Sequence, residues 1–239
     1  MENAHYFLHV TDTHLCFDAE APDICCTEQA LRSLYQTAFA WDHRPAFVLI
    51  TGDLVHEGTS ADYARAKTLL QELDEQYHTK TYPALGNHDN RENFNSAFRE
   101  QASDQPVDYC VQNEWLRWIV LDSSCGQVIG QLSGSQLAWL EQELCDPTDC
   151  PTILALHHPV YGTTTAETDA NNLATPDRLI RLLQDHPVDG ILCGHSHEAT
   201  LVTEQGLPPQ FVGAGAASAA LPLIQGRVQF RKQCWIQFC

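Results

Sequence analysis

Short apolar runs alternate with longer amphipathic segments through the first half of the chain. The apolar or β-prone runs predict strands at residues 5–10, 46–50 and 80–85. Between them, apolar residues recur at helical spacing and predict helices over about 28–41 and 60–77, the second with Ser60 as its N-cap. This β–α–β–α–β order predicts a layered α/β fold with parallel strands.

The second half repeats the alternation less regularly. Helices are predicted over about 135–144 and from Pro176 to about Gln184. A long polar stretch at 161–175 has the length of a lid or binding loop. Further strands are predicted at 106–112, 115–122, 153–156, 188–193, 199–204, 209–214 and 226–238. Because no repeat, linker or low-complexity segment interrupts this pattern, we expect a single domain over residues 1–239.

The charge balance is strongly acidic, with 13 Lys and Arg residues against 31 Asp and Glu residues, a net charge of −18. Such a surface repels nucleic acids and anionic membranes, because binding to either depends on Lys and Arg contacts with phosphate. We therefore expect neither as a partner. An anionic substrate would have to be attracted locally, for example by bound cations. The alternative is that the acidity only keeps the protein soluble.

Ten cysteines do not form the pattern of a disulfide framework. Cys25 and Cys26 are adjacent, Cys193 lies inside a predicted strand, and no Cys-x-x-Cys pair occurs. The N-terminus shows no signal peptide, and no apolar run approaches the roughly 20 residues that span a bilayer. These features predict a cytoplasmic protein whose thiols are free and mostly buried.

Five short motifs rich in Asp, His and Asn carry the candidate chemistry, and four of them follow a predicted strand. They are Asp12-Thr13-His14, Gly52-Asp53, Gly86-Asn87-His88-Asp89, His157-His158-Pro159 and Gly194-His195-Ser196-His197. Seven side chains of these motifs are the candidate ligands, and all of them offer oxygen or nitrogen donors: Asp12, His14, Asp53, Asn87, His157, His195 and His197. Such donors suit a two-metal hydrolytic centre, in which paired ions clamp the attacking and leaving oxygens of a phosphoryl group.

Each motif alone also has a simpler interpretation. The first arises by chance in most chains, the second is typical of a turn, and the fourth fits core-edge histidines bonded to carbonyls. The third is more specific, since four such residues in a row occur in roughly one chain of this size in a thousand. Their joint occurrence, in this order and at strand ends, favours the metal centre.

The five motifs resemble the calcineurin-like metallophosphoesterase superfamily, over about residues 5–200. Within it the chain is most similar to bacterial 3′,5′-cyclic AMP phosphodiesterases. The similar stretches are Val10-Thr11-Asp12-Thr13-His14-Leu15, Thr51-Gly52-Asp53-Leu54, Leu132-Ser133, Gln136-Leu137, Trp139-Leu140-Glu141 and Ile191-Leu192-Cys193-Gly194-His195. The resemblance implies a four-layer αββα sandwich with a binuclear metal site at the C-terminal ends of the strands.

By position, the resemblance also implies which residues hold the two ions, with Asp53 bridging both. The implied ligands are Asp12, His14 and His197 for one ion, and Asn87, His157 and His195 for the other. Independently, a carboxylate is the side chain in this set whose two anionic oxygens suit bridging. Imidazole and carboxylate ligands suit iron, manganese, zinc and cobalt alike, so the identity of the two transition-metal ions stays open.

The resemblance places His88 beside the phosphate as the catalytic residue that protonates or stabilises the leaving oxygen. A hydroxide bridging the ions would be the nucleophile. Asp89 has two interpretations: it orients the imidazole of His88, or it forms the turn.

The leading hypothesis for function is hydrolysis of a phosphodiester, 3′,5′-cyclic AMP to 5′-AMP. One alternative is another phosphoester: a glycerophosphodiester, a nucleotide-sugar pyrophosphate or a monoester. Another is a non-catalytic metal-bound scaffold, which the retention of His88 and all seven donors disfavours. The stretch 161–175, expected to overhang the metals, contains no Lys or Arg to neutralise a dianionic monoester. Some relatives continue past the last strand with a tail used in assembly, so a monomer and a homodimer both stay open.

Overall fold

The computed structural model describes residues 5–17, 27–162, 170–216, 226–229 and 234–238. Its helices are α1 (Thr27–Phe39), α2 (Ser60–Tyr77), α3 (Arg91–Phe98), α4 (Gly134–Cys145) and α5 (Asp177–Asp185). Its strands are β1 (His5–Val10), β2 (Val48–Thr51), β3 (Thr81–Ala84), β4 (Tyr109–Gln112), β5 (Arg117–Val120), β6 (Thr152–Ala155), β7 (Gly190–Cys193), β8 (Thr200–Val202), β9 (Gln210–Val212), β10 (Gly226–Gln229) and β11 (Cys234–Phe238).

These strands form two sheets that are mostly parallel. The first sheet has the order β10-β11-β1-β2-β3, in which β10 alone pairs antiparallel. The second has the order β4-β5-β6-β7-β9-β8, with antiparallel pairs at its two edges and parallel pairs between them. In each sheet, the loops that follow the parallel strands therefore leave from one end.

Alternate residues of the central strands face different layers. In β1, Phe7 packs in a cluster with Trp118 of the second sheet, whereas Leu8 packs in a cluster with Tyr35 of α1. In β5, Trp118 faces the first sheet while Ile119 packs in the cluster that contains residues of α4 and α5. This period of two buries both faces of each sheet and explains the continuous apolar runs. The resulting helix–sheet–sheet–helix layering confirms the predicted αββα sandwich.

The N-cap of α2 differs from the sequence prediction by one residue. The Thr59 hydroxyl accepts a hydrogen bond from the Asp62 backbone N–H at 3.2 Å, and the Asp62 carboxylate accepts one from the Thr59 N–H at 3.2 Å. Ser60 is already helical, and its hydroxyl donates to Asn93 at 2.8 Å. The prediction of Ser60 was wrong because the reciprocal capping box is completed from Thr59.

Two further elements differ from the sequence prediction. Helix α3 was not predicted; its apolar residues Phe94, Ala97 and Phe98 have helical spacing, but over one turn only, which is shorter than the window in which a period is recognised. Its N-cap Asn90 accepts from the backbone N–H of Asn93 at 2.9 Å. The single strand predicted over 226–238 is instead two antiparallel strands, β10 and β11.

The cysteines that the structure describes bear on the thiol prediction. Six are free, as predicted: Cys16, Cys110, Cys125, Cys145, Cys150 and Cys193. The expectation that most are buried was wrong for these six, because only Cys16 and Cys193 are fully buried. Within the described ranges, no helix combines the length and apolarity needed to cross a membrane. The single domain and the cytoplasmic location stay predictions.

Candidate metal centre

The five motifs meet where parallel strands of both sheets end. Asp12, Asp53 and Asn87 follow β1, β2 and β3 of the first sheet, and His157 and His195 follow β6 and β7 of the second. The C-terminal ends of parallel strands lie at one edge of a sheet. Since the two sheets face each other, their edges bring residues that are far apart in the chain into one cluster.

One group of donor atoms gathers around Asp12. Its Oδ1 lies 3.1 Å from His197 Nε2 and 4.0 Å from His14 Nε2, and those two nitrogens are 3.3 Å apart. Asp53 Oδ2 lies 3.6 Å from His14 Nε2. Ligand atoms that surround one ion at about 2.1 Å are about 3.0–3.4 Å from their neighbours. The group therefore has nearly the spacing that one metal ion requires.

A second group gathers around Asn87. Its Oδ1 lies 2.9 Å from His195 Nδ1 and 3.1 Å from His157 Nε2, and those nitrogens are 3.2 Å apart. Asp53 Oδ2, the oxygen that approaches His14, also lies 3.4 Å from His157 Nε2. One carboxylate oxygen thus borders both groups, which is the placement that a bridging ligand needs.

The outer hydrogen bonds of the rings direct their lone pairs into this cluster. His157 Nδ1 lies 2.9 Å from the Thr51 carbonyl, and the His195 ring bonds the backbone carbonyl of Asn171. A ring that donates its outer N–H to a carbonyl presents an unprotonated nitrogen on the other side, as a metal ligand must. The donor set therefore fits a binuclear divalent metal site.

The electrostatics of His157 show how strongly the cluster attracts positive charge. Burial alone would lower the pKa of His157, but the Asp53 carboxylate at 3.4 Å, with Asp12 at 4.0 Å, raises it to about 9. Burial would likewise raise the pKa of Asp53, but the charge of His157 and the contacts around it hold it below its usual range. In a metal site, a cation takes the place of that proton.

The backbone around the cluster adopts conformations that non-glycine residues rarely occupy. Five of the seven candidate ligands have positive φ angles: Asp12 at 53°, His14 at 39°, Asp53 at 48°, His195 at 73° and His197 at 57°. Such strain is common at functional sites, where the surrounding structure holds it in place. Two glycines permit close approach to these ligands, because a Cβ at Gly86 would lie 2.2 Å from Asp53 Oδ1 and one at Gly194 would lie 2.5 Å from Asp12 Oδ2.

His88 lies at the exposed side of the cluster. Its backbone N–H donates to Asp53 Oδ1 at 2.9 Å, its ring centroid is 4.7 Å from that of His14, and its Nδ1 lies 3.0 Å from the His56 carbonyl. Asp89 does not orient this ring: its carboxylate accepts the backbone N–H groups of Gly86 at 2.9 Å and Leu54 at 3.1 Å. Of the two interpretations of Asp89, the structure supports the turn.

His56 was not among the predicted site residues, although it contacts two of them. Its Nδ1 lies 3.5 Å from His14 Nδ1, and its ring stacks on His88 with 5.1 Å between centroids. The sequence signal was present: His56 comes three residues after Asp53, in the loop that leaves the same strand end. Without the fold, nothing distinguished it from an ordinary surface histidine.

His158, the second histidine of the fourth motif, has a different role from His157. Its ring lies 4.6 Å from that of His195, but Nδ1 is 2.8 Å from Ser123 Oγ and Nε2 is 3.0 Å from the Val128 carbonyl. Both ring nitrogens thus have hydrogen-bond partners outside the donor groups. Burial lowers the pKa of His158 to about 2, so the ring is neutral and serves the structure of the loop.

The polar stretch expected to overhang the metals is described only at its ends. Residues 163–169 lie outside the described residues, so their position stays a prediction. At the described end, the Leu173 N–H donates to the Pro159 carbonyl at 3.1 Å and the Ala174 N–H to the Gly130 carbonyl at 2.8 Å. This end of the stretch therefore lies beside the loop that carries His157.

The parallel strands of two facing sheets end at one shared set of metal-binding side chains. This is the architecture of a metal-dependent phosphoester hydrolase, because paired metal ions activate a water molecule for attack on phosphorus. The chain belongs to the calcineurin-like phosphoesterase family, which it matches over residues 5–199. This confirms the resemblance inferred from the motifs.

The individual relatives agree with this assignment. The chain is 36% identical over 206 residues to a probable cyclic nucleotide phosphodiesterase of Rhodococcus erythropolis, covering 85% of this chain and 68% of the relative. It is 31% identical over 230 residues to a cAMP/cGMP dual specificity phosphodiesterase of Mycobacterium tuberculosis, covering 95% and 72%. A dimetal phosphatase from Danio rerio shares the fold, with a TM-score of 0.69, 16% identity and 89% and 87% coverage.

Proposed function

We propose that the protein hydrolyses 3′,5′-cyclic AMP to 5′-AMP at the candidate metal centre. The observation that carries the proposal is the position of Asp53 Oδ2, 3.6 Å from His14 Nε2 and 3.4 Å from His157 Nε2. It links two donor groups into one binuclear site of the kind that acts on phosphodiesters. The Mycobacterium tuberculosis relative, matched over 95% of this chain, supports the choice of a cyclic nucleotide.

The ligand assignment follows from the two donor groups. Asp12, His14 and His197 would hold one ion and Asn87, His157 and His195 the other, with Asp53 between the two groups. The His88 backbone N–H donates a hydrogen bond to Asp53 Oδ1, so Asp53 Oδ2 is the oxygen that faces both donor groups. When bound, the two ions place positive charge against the phosphoryl oxygens and lower the pKa of water.

His88 is the proposed general acid. Its Nδ1–H donates to the His56 carbonyl at 3.0 Å, which leaves Nε2 as the nitrogen that takes up and releases a proton. A proton held there neutralises the 3′-oxygen as it leaves phosphorus. The ring is exposed, so a substrate can approach it directly.

The ligand and acid roles are separated by two substitutions. Asp53→Asn should weaken both ion sites, because it removes the shared negative charge. His88→Ala should retain both ions and lose on the order of 100-fold in kcat, the usual scale for a general acid. Elemental analysis and steady-state kinetics on the same samples measure both effects. Equal metal loss in the two variants would contradict the role of His88.

The substrate assignment is tested by comparing two nucleotides on the metal-loaded protein. A cyclic diester carries one negative charge, whereas a monoester approaches two near pH 7, and the net charge of −18 disfavours the more anionic ligand. We expect a higher kcat/KM for 3′,5′-cyclic AMP than for 5′-AMP, with 5′-AMP accumulating. Faster release of inorganic phosphate from 5′-AMP would reverse the assignment. A glycerophosphodiester in the same screen tests the alternative diester.

A further inference from the structure

The loop between β5 and α4 carries two exposed apolar side chains and leaves its sheet at the same end as the candidate metal centre. Strand β5 is parallel to β6, and β6 to β7, so residues 121–133 leave the same sheet end as His157 and His195. In this loop Val128 is 53% exposed and Ile129 is 38% exposed. We call these two residues the apolar tip.

Hydrogen bonds hold the apolar tip in a defined position. His158 Nε2 lies 3.0 Å from the Val128 carbonyl, its Nδ1 lies 2.8 Å from Ser123 Oγ, and the Gln131 N–H donates to the Ser123 carbonyl at 2.9 Å. The His158 ring is 4.6 Å from the ring of His195. One imidazole therefore separates the backbone of the tip from a member of the second donor group.

Close packing behind the tip restricts it further. A Cβ on Gly130 would lie 2.3 Å from the His158 ring, so the chain approaches this ring as closely as glycine permits. A buried histidine, with both ring nitrogens engaged, thus connects the loop to the metal centre. The tip is unlike a loosely held surface loop, because its backbone is anchored while its side chains are in solvent.

Exposed apolar side chains in this arrangement need an explanation. Among the residues whose burial the structure describes, the only other large hydrophobic residue with such exposure is Leu201. Isolated exposed apolar residues are normal, but ligand sites are lined predominantly by apolar side chains around a few polar groups. The donor groups and His88 are polar and suit a phosphate, but they offer little apolar surface to a nucleoside.

We propose that Val128 and Ile129 form an apolar wall on which the nucleoside of the substrate or product packs while its phosphate lies at the metal centre. The inference rests on the proposed function and deepens it. These two residues determine specificity for nucleotides over diesters of small polar alcohols. They take no part in the chemistry of the phosphoryl group.

The test measures binding of two probes, 5′-AMP and inorganic phosphate, to the metal-loaded protein by calorimetry. The double substitution Val128→Ser and Ile129→Ser, called the serine variant, should weaken the binding of 5′-AMP about 5- to 10-fold because apolar contact is lost. The affinity for phosphate should not change. Val128→Leu with Ile129→Leu keeps the wall apolar and should stay within about 2-fold of the wild type.

Leu201→Ser is the matched control, because Leu201 has similar exposure, at 56%, on β8. Strand β8 is four strands from β5 in the sheet order, about 19 Å at normal strand spacing. We expect this variant to bind both probes normally. Size-exclusion chromatography of every variant shows whether the tip is instead a contact between copies of the chain.

Four results would overturn the apolar wall: unchanged 5′-AMP affinity in the serine variant, equal weakening of phosphate, an equal loss in Leu201→Ser, or a changed oligomeric state in the serine variant. The proposed function fails separately. Suppose that the wild type does not cleave 3′,5′-cyclic AMP, but the serine variant selectively loses affinity for 5′-AMP. The proposed substrate is then wrong, and the apolar wall is still supported. If the wild type cleaves the cyclic nucleotide and the serine variant binds both probes normally, the proposed function is supported and only the apolar wall is wrong.

Discussion

His56 connects a candidate ligand with the candidate acid. Its ring borders His14, and its carbonyl and ring both contact His88. Residues that fix the orientation of metal-binding histidines commonly change metal affinity or activity by 10- to 100-fold when removed. His56 is therefore a positioning residue for both neighbours, since it contacts Nδ1 of His14 and not the Nε2 that faces the first donor group.

Replacement of His56 by alanine should loosen the ring of His14 and remove the stack on His88. We expect kcat to fall about 10-fold and the ion held by His14 to be lost faster to a chelator. His56→Asn, which retains a polar group near His14, should recover part of the metal retention. The measurements are kcat and the metal content over time in chelator. Wild-type values for both in the alanine variant would contradict a positioning role.

His9 offers a prediction about pH because it is buried in β1. Its Nε2 lies 2.8 Å from Thr51 Oγ1, and burial lowers the pKa of His9 to about 4. In the unfolded chain the same ring takes up a proton near pH 6.5. Between these values the unfolded state binds more protons, so the free energy of unfolding decreases as the pH falls from about 6.5 to about 4.

His9→Gln removes this titration from the comparison. Between pH 7.5 and 5, the wild type should lose about 2 kcal/mol more unfolding free energy than the variant. Urea unfolding of both proteins at the two pH values measures the difference, and the other titrating groups cancel between them. Equal losses would show that His9 does not remain neutral in the folded protein.

Among the elements, the start of α2 gives the clearest test of local structure. Thr59 and Asp62 satisfy each other's backbone N–H groups, whereas Ser60 contacts Asn93 at the surface. Thr59→Ala should lower the free energy of unfolding by about 1 kcal/mol, the usual effect of removing an N-cap. Ser60→Ala should change it by less than about 0.5 kcal/mol. Urea unfolding separates the two, and the reverse order would restore Ser60 as the cap.

For the whole molecule, the donor set joins the two sheets. Asp53 and Asn87 belong to loops of the first sheet, and His157 and His195 to loops of the second. Ions bound between them stabilise the folded state alone, because the unfolded chain does not bring these residues together.

The metal-loaded protein should contain about two transition-metal ions per chain, and their removal by a chelator should lower Tm. Elemental analysis and thermal unfolding of the same preparation measure both quantities. His88→Ala is the control, since it should keep the two ions and the same shift in Tm. One ion or fewer per chain with full activity would contradict the binuclear site.

The sequence by itself predicted most strands, most helices and the candidate donor residues. These follow from patterns over a few residues: an apolar run predicts a strand buried on both faces, and polar residues directly after it predict a site at the strand end. The family resemblance extended this to four layers and a binuclear centre, both of which the fold and the donor cluster support. Helix α3 was missed because its apolar residues extend over a single turn, which is too short to show a period.

The residue patterns alone left open which distant residues meet; the resemblance implied the two donor groups, and the tertiary structure decided the contacts. Asp12 Oδ1 lies 3.1 Å from His197 Nε2 although the residues stand at opposite ends of the matched region. The contact of His56 with His14, and the anchoring of the Val128 carbonyl by His158, likewise depend on how loops from separate strands pack. Hydrophobic periodicity records which face of an element is buried, but it carries no information about the neighbour that buries it.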